Sequence, residues 1–277
     1  MSAQIINGKK IAAEIRAEIK KEIADLGITP GLAVILVGAD PASHLYVGLK
    51  EKAAAEVGIH FEKYLFFATE PEEKIITKIQ ELNERPDIHG IVVQLPLPQG
   101  YDESKIVATI DPEKDVDGFH PANIAKLLTG EPKIVPPVIL GILKLIESTG
   151  IEMSNKKIAI LANSEIFIKP LAEILKGNQL TISIAPEDPL PLTRDADIVI
   201  TALGRPKIIT GEAIKPGTIL IDVGTTRMDD GTTVGDVDFE SVSAKAGWIT
   251  PVPGGVGPMT VAMLLRTVLD LAKQKRA

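Results

Sequence analysis

The sequence predicts an α/β fold with two lobes around a cleft, because strand-like apolar runs alternate with amphipathic helical segments along the chain. A length of 277 residues is enough for two domains. The alternation pauses in a loop-like stretch at 111–122 and resumes after a helical stretch at 138–148. We therefore expect two parallel sheets, a boundary near 120–145, and a last helix that returns to the first lobe.

The first lobe is expected to comprise 1–120 plus 258–277. Isoleucines recur every four residues from Ile11 to Ile23, which gives one apolar face to a helix that ends near Gly27. Elsewhere, continuous apolar runs indicate strands, and apolar residues at intervals of three or four indicate helices. These patterns place strands at 32–37, 64–67 and 90–95, and helices at 41–57, 71–83 and 102–110.

The second lobe, at 121–257, has the pattern of a Rossmann-like domain with a parallel sheet. Its runs of β-branched residues predict strands, which follow the helix at 138–148. The strands lie at 158–161, 180–184, 198–201, 218–223 and 248–250. One helix after the first strand extends to about Lys176, and a last amphipathic helix covers 259–277.

Composition excludes several classes of function. The formal charge is −7 and no basic run with interleaved aromatic residues occurs, so we expect no nucleic-acid partner. No apolar run approaches bilayer length and no secretory leader follows Met1, which predicts no membrane association and a cytoplasmic protein. The chain has no cysteine and its 4 histidines are scattered, so we expect no disulfide and no metal site.

A glycine-dense segment at 250–260 precedes the last helix. Its prolines fix φ, whereas Gly254, Gly255 and Gly257 allow a ligand to approach the backbone closely. A stiff turn between a strand and a helix is the alternative interpretation. The segment does not fit a dinucleotide loop, because that loop needs a further strand and an acidic residue after its helix, and neither follows this helix.

Three polar side chains of the first lobe are candidates for catalysis. Tyr46 and Lys50 stand four residues apart, which places a phenol and an ammonium group on one helix face. A lysine in a partly desolvated pocket can act as a general base or polarise a bound group. Gln94 ends an apolar strand, at the carboxyl end where α/β proteins bind ligands. The alternative for the pair is a solvated lysine beside a core tyrosine.

Asp117 is a candidate ligand-binding carboxylate. It lies on a turn next to Gly118 and is suited to a ring that carries N–H donors. The alternative is an ordinary Asp-Gly turn. Together with the candidates above, five motifs then occur in one order: residues 40–43, the Tyr46 and Lys50 pair, 93–96, 114–118 and 251–260. This order resembles the bifunctional methylenetetrahydrofolate dehydrogenase/methenyltetrahydrofolate cyclohydrolase family (the FolD type), and the resemblance spans nearly the full chain.

The resemblance implies a homodimer that acts on tetrahydrofolate substrates. It implies hydrolysis of 5,10-methenyl-tetrahydrofolate, with Lys50 as the catalytic lysine, Gln94 assisting it and Tyr46 stacking on the folate rings. It also implies that Asp117 accepts hydrogen bonds from the pterin. The other folate-binding residues that it implies are Ser43, Leu95, Pro96, Pro253, Gly254, Gly255, Val256 and Gly257. A second activity, oxidation of 5,10-methylene-tetrahydrofolate, implies NAD or NADP as cofactor.

The chain departs from the family in its cofactor loops. The family's Gly-Arg-Ser-x-x-Val-Gly-x-Pro is replaced by residues 162–170, so both glycines are lost and Asn163 replaces the arginine that pairs with a 2′-phosphate. Glu187 and Asp188 replace part of His-Ser-x-Thr; they repel a 2′-phosphate and can accept from a ribose hydroxyl, which favours NAD. The other cofactor positions that the resemblance implies are Ser164, Ala202, Gly204 and Thr225.

Three hypotheses follow for the function. The first is a folate enzyme with cyclohydrolase activity and a weakened, altered or lost dehydrogenase; a monofunctional cyclohydrolase is its limiting form. The second is a short-chain dehydrogenase, suggested by the Tyr46 and Lys50 spacing alone, which lacks the glycine-rich loop required ahead of that pair. The third is a non-catalytic folate- or partner-binding protein, against which the retained Lys50 and Gln94 argue.

Overall fold

The computed structural model describes residues 2–276, which form two compact units. Among these residues, a six-stranded unit contains 2–11 and 138–260, and a three-stranded unit contains 12–137 and 261–276. The chain passes from the three-stranded unit to the six-stranded unit between 137 and 138. Residues 2–11 group differently from the expected division, because the first strand pairs into the larger sheet.

The strands and helices are numbered in chain order. The strands are β1 Gln4–Ile5, β2 Gly31–Val37, β3 His60–Phe66, β4 Gly90–Val93, β5 Lys157–Ala162, β6 Gln179–Ile184, β7 Ile198–Ala202, β8 Ile219–Asp222, β9 Thr226–Arg227, β10 Thr233–Val234 and β11 Trp248–Ile249. The helices are α1 Gly8–Leu26, α2 Pro41–Val57, α3 Glu72–Glu84, α4 Glu103–Val107, α5 Pro121–Leu128, α6 Pro137–Glu147, α7 Glu165–Ile174, α8 Leu190–Thr193, α9 Phe239–Ser243 and α10 Val256–Gln274.

The three-stranded sheet has the order β3-β2-β4, and all its strands are parallel. Every residue of the central strand β2 is buried, since apolar clusters cover both faces of the sheet. Leu264 and Val268 of α10 belong to one of these clusters, which confirms that the last helix returns to the first lobe. Parallel pairing brings the carboxyl ends of β2 and β4 to one edge, where α2 and Gln94 follow.

The six-stranded sheet has the order β1-β11-β8-β7-β5-β6 and is parallel throughout. From β5 the chain goes first to β6 on one side and then to β7 on the other, so the connection reverses direction between β5 and β7. Such a reversal opens a crevice at the carboxyl ends of the two strands, where doubly wound sheets bind dinucleotides. The Rossmann-like prediction is confirmed.

Some elements were missed or bounded differently. Helix α5 begins at the end of the stretch that was expected to be a loop. It starts there because the His120 side chain accepts from the N–H of Ala122 and Pro121 occupies the first turn. Strand β3 starts four residues before the expected Tyr64, because this edge strand alternates in exposure and has no continuous apolar run. Among residues 2–276, no helix combines the length and apolar character needed to cross a membrane.

Candidate functional site

Helix α2 fixes the positions of Tyr46 and Lys50. It begins at Pro41, and the Asp40 carboxylate accepts from the N–H of Ser43 at 2.7 Å, which satisfies a first-turn donor and holds the pKa of Asp40 below its usual range. Val47 packs in the core, and Lys50 is only 8% exposed despite its ammonium group. A lysine so buried needs a partner for its charge.

Gln94 is that partner. The Lys50 Nζ donates to the Gln94 Oε1 at 3.0 Å, and the Gln94 Nε2 donates to the Leu95 carbonyl at 2.8 Å. The backbone N–H of Gln94 donates to the Ile35 carbonyl at 2.9 Å, which continues the pairing of β4 with β2. Both ends of the amide are therefore engaged, and its oxygen is fixed toward the ammonium group.

Asp117 follows a segment that runs beside β4. The Ile91 N–H donates to the Lys114 carbonyl at 2.7 Å, and Ile91 forms a parallel bridge with Asp115, so Asp117 comes two residues further toward the carboxyl end. Its carboxylate is half-buried and has no hydrogen-bond partner among residues 2–276. This acceptor is available to a ligand.

The neighbouring Asp115 is fully engaged in the structure instead. Its carboxylate accepts from the N–H of Gly118 at 3.1 Å, the N–H of His120 at 2.8 Å and the Asn123 Nδ2 at 3.0 Å. Burial raises the pKa of Asp115. The two aspartates of one motif thus have different environments, and only Asp117 can serve a ligand.

Sequence reasoning missed the role of Lys114, although it stands in the same motif. Lys114 is 2% exposed, and its Nζ donates to three carbonyls at the end of α3, those of Leu82 at 3.0 Å, Asn83 at 2.6 Å and Arg85 at 2.7 Å. Burial lowers the pKa of Lys114. This side chain ties the turn of Asp117 to α3, and the chain spacing alone gives no signal of it.

The other predicted folate residues divide between the two units. Ser43 is buried in the first turn of α2, Leu95 packs against a core cluster and Pro96 is exposed after a cis peptide bond. Residues 253–257 belong to the six-stranded unit. There the Gly254 carbonyl accepts from the Lys9 N–H at 2.9 Å, which supports the stiff-turn interpretation of this segment. Its part in folate binding stays a prediction.

The predicted cofactor residues lie at the carboxyl edge of the six-stranded sheet. Asn163, just after β5, donates its N–H to the Ala202 carbonyl at 3.1 Å and its Nδ2 to the Leu203 carbonyl at 3.2 Å. This side chain therefore connects the loops after β5 and β7. Ser164 precedes α7 and makes no capping hydrogen bond with its hydroxyl.

The first turn of α7 remains compatible with a bound anion, although both family glycines are lost. Glu165 places a negative charge in this turn, but it forms an exposed ion pair with Lys169 one turn later. Ile168, in place of a family glycine, is only 3% exposed and packs toward the interior. The altered loop thus keeps a helix N-terminus at the crevice, where a pyrophosphate is favoured.

The two acidic residues after β6 have separate roles. The Asp188 carboxylate accepts from the N–H of Leu190, the first residue of α8, at 2.9 Å. Glu187 is exposed, and its carboxylate has no partner among residues 2–276. Of the pair that the sequence proposed as ribose acceptors, only Glu187 is free.

A buried carboxylate fixes the loop that carries Gly204. Asp236 is inaccessible to solvent and accepts from the Thr201 Oγ1 at 2.9 Å, the Leu203 N–H at 2.6 Å and the Arg205 N–H at 2.9 Å. Three donors, one from the end of β7 and two from the loop after it, converge on a single side chain. Sequence reasoning missed this role of Asp236, because Asp236 lies far from that loop in the sequence.

A second buried carboxylate, Asp222, orders the loop after β8 that carries Thr225. It accepts from the N–H groups of Gly224 at 2.9 Å, Asp236 at 3.1 Å and Val237 at 3.0 Å. Burial, and then the nearby charge of Asp236, raises the pKa of Asp222 to about 7. Thr225 itself is exposed beyond this ordered turn.

Both units of the chain match known proteins. The family described as tetrahydrofolate dehydrogenase/cyclohydrolase matches with its catalytic domain over 6–117 and with its NAD(P)-binding domain over 136–276. The bifunctional protein FolD of Geobacillus thermodenitrificans is 48% identical, over 100% of each chain.

Solved structures agree with these matches. FolD of Campylobacter jejuni, a methylenetetrahydrofolate dehydrogenase/cyclohydrolase, is 40% identical with a TM-score of 0.94, over 99% of each chain. FolD of Trypanosoma brucei, complexed with NADP cofactor and inhibitor, is 37% identical with a TM-score of 0.94, over 99% of this chain and 98% of the other.

Proposed function

Because this chain belongs to the tetrahydrofolate dehydrogenase/cyclohydrolase family, we propose that Lys50, Gln94 and Asp117 carry its folate chemistry. The chain is a one-carbon enzyme that hydrolyses 5,10-methenyl-tetrahydrofolate to 10-formyl-tetrahydrofolate and oxidises 5,10-methylene-tetrahydrofolate with NAD(P). The observation that supports the residue roles best is the hydrogen bond of 3.0 Å between the buried Lys50 ammonium group and the fixed Gln94 amide.

Hydrolysis makes specific demands on these side chains. Water adds to the amidinium carbon, the bond from that carbon to N5 breaks, and the water loses two protons, one of which ends on N5. A positioned side chain that accepts and returns a proton lowers this barrier. Lys50 is the proton-handling residue, and Gln94 holds its Nζ in place. Tyr46, one turn earlier on α2, stacks on the folate rings.

Asp117 supplies binding rather than proton transfer. Its unpartnered carboxylate accepts from the N–H donors of the pterin, while Asp115 and Lys114 hold its turn in place. Ser43, Leu95 and Pro96 complete the part of the folate site contributed by the three-stranded unit.

The six-stranded unit holds the nicotinamide cofactor, which accepts a hydride when bound. The residues at its crevice fit a dinucleotide: α7 offers its N-terminal N–H groups to the pyrophosphate, and Asn163 and Asp236 hold the flanking loops. The missing arginine and the free carboxylate of Glu187 disfavour a 2′-phosphate. We therefore assign NAD as the preferred cofactor, with Glu187 accepting from the ribose 2′-hydroxyl.

The cofactor assignment predicts faster methylene-tetrahydrofolate oxidation with NAD than with NADP at equal concentration. Glu187→Gln is expected to raise the KM for NAD by about 10- to 100-fold, because it removes a charge-assisted hydrogen bond. Steady-state rates with each nucleotide measure this, with Glu240→Gln, an exposed change on α9, as the matched control. A wild type that prefers NADP would show the assignment to be wrong.

The second copy of the proposed homodimer covers the outer edge of β6. Within the described residues 2–276 this strand pairs only with β5, and its Ile182 and Ile184, on one face, are 44% and 48% exposed. Ile182→Lys is therefore expected to halve the mass seen by light scattering. Leu128→Lys, at an exposed site on α5, is the control and should leave the mass unchanged. A wild type that is monomeric at micromolar concentration contradicts the proposal.

A further inference from the structure

The turn after β6, residues 185–188, is held by a side chain from another loop. The Arg205 Nη1 donates to the Pro186 carbonyl at 2.6 Å, and its Nη2 donates to the Glu187 carbonyl at 3.2 Å. The turn contains Ala185 at φ 43°, in the left-handed region that non-glycine residues rarely adopt. Such a conformation persists only where the surroundings hold it.

The backbone of Arg205 is itself fixed by a hydrogen bond. Its N–H donates to the buried Asp236 carboxylate at 2.9 Å, and the preceding Gly204 has φ 67°. Among residues 2–276 the guanidinium forms no ion pair with a carboxylate, and it donates instead to the two carbonyls. This half-buried arginine donates to backbone carbonyls and not to a carboxylate. Its effect is therefore to stabilise the conformation of the segment that carries those carbonyls.

We propose that Arg205 is a positioning residue for the adenosine half of NAD, acting through Glu187. By clamping the carbonyls of Pro186 and Glu187, it fixes the direction in which the free Glu187 carboxylate leaves the turn. A ribose acceptor must be held to a fraction of an ångström to be effective. The inference rests on the proposed NAD-linked function, and it adds a residue that the lost family motifs do not supply.

The test is the affinity of Arg205→Ala for each nucleotide, measured by the quenching of Trp248 or by calorimetry. The dissociation constant for NAD should rise roughly tenfold, while the weaker binding of NADP, which does not use Glu187, changes less. Arg205→Lys, which replaces the two donor nitrogens by one, should restore part of the affinity. Lys157→Ala, at the amino end of β5 and thus away from the carboxyl ends of the strands, is the charge-matched control. Cyclohydrolase activity should be unchanged in every variant.

A double-mutant cycle separates positioning from direct contact. If Arg205 acts through Glu187, Arg205→Ala combined with Glu187→Gln loses no more NAD affinity than Glu187→Gln alone. Additive losses, unchanged NAD binding, or a selective loss of NADP, which would mean direct contact with a 2′-phosphate, each overturn the inference. A wild type that binds neither nucleotide removes the proposed function and this inference with it, and is recognised before any variant is made.

Discussion

Replacing Lys50 by methionine is expected to lower the rate of methenyl-tetrahydrofolate hydrolysis by about a hundredfold to ten-thousandfold. Methionine keeps the length and apolar stem of the buried side chain but removes the ammonium group that donates to Gln94. The fold should survive, because the apolar packing is retained and the Gln94 oxygen that loses its donor is only half-buried. The rate is measured from the loss of methenyl-tetrahydrofolate absorbance, corrected for spontaneous hydrolysis.

Two further variants make this experiment decisive. Lys52→Met removes the same charge from an exposed position on the same helix and should leave the rate unchanged. Lys50→Arg keeps the positive charge, but the planar guanidinium does not reproduce the geometry of Nζ, and activity should stay low. Hydrolysis by Lys50→Met within a few fold of wild type, in a folded protein, would remove Lys50 from the mechanism.

The dehydrogenase rate of Lys50→Met distinguishes binding from proton transfer. Oxidation of methylene-tetrahydrofolate depends mainly on the orientation of two rings, to which Lys50 contributes less than it does to hydrolysis. We expect the dehydrogenase to lose less than the cyclohydrolase. Equal losses in both activities would indicate that Lys50 acts chiefly by binding folate.

The Lys50 and Gln94 contact shows what the sequence could predict. Each residue sits at a recognisable point of a regular element, one on the buried face of α2 and one directly after β4. Because parallel strands present their carboxyl ends at one edge, the local pattern suffices to place Gln94 there, whereas its pairing with Lys50 was implied only by the family resemblance. Most strands and most helices were predicted for the same reason, since their periodicity is local.

Other features depend on contacts that no local pattern encodes. Strand β1 has two residues, too few for a period, and its position follows only from pairing with β11. The clamp of Arg205 on the turn after β6 joins residues 18 and 19 positions apart, and its effect depends on the unusual φ of Ala185. The lost family glycines were visible in the sequence, but the ion pair that offsets Glu165 was not inferred.

Asp236→Asn is expected to destabilise the six-stranded unit by about 2–4 kcal/mol, the cost of leaving one or two buried donors unsatisfied. The carboxylate accepts from the Thr201 hydroxyl and from the N–H groups of Leu203 and Arg205. An asparagine offers one oxygen, so its NH₂ group must face at least one donor. Denaturant unfolding followed by circular dichroism measures the loss. Asp229→Asn, at an exposed site, should stay within about 0.5 kcal/mol of wild type.

The same variant should also change how stability depends on pH. The pKa of Asp222 is about 7 in the folded protein, above its ordinary value of 3.8, so the folded state binds more protons between these values. Its contribution to stability is therefore present below about pH 4 and is lost as the pH rises through about 7.

Asp236→Asn removes the charge that helps to raise this pKa, so its unfolding free energy should fall less between pH 5 and pH 8 than that of the wild type. The difference between the two proteins should then be larger at pH 5 than at pH 8. A difference that does not vary with pH would mean that Asp236 does not affect the pKa of Asp222, and that Asp236 orders the Gly204 loop by hydrogen bonding alone.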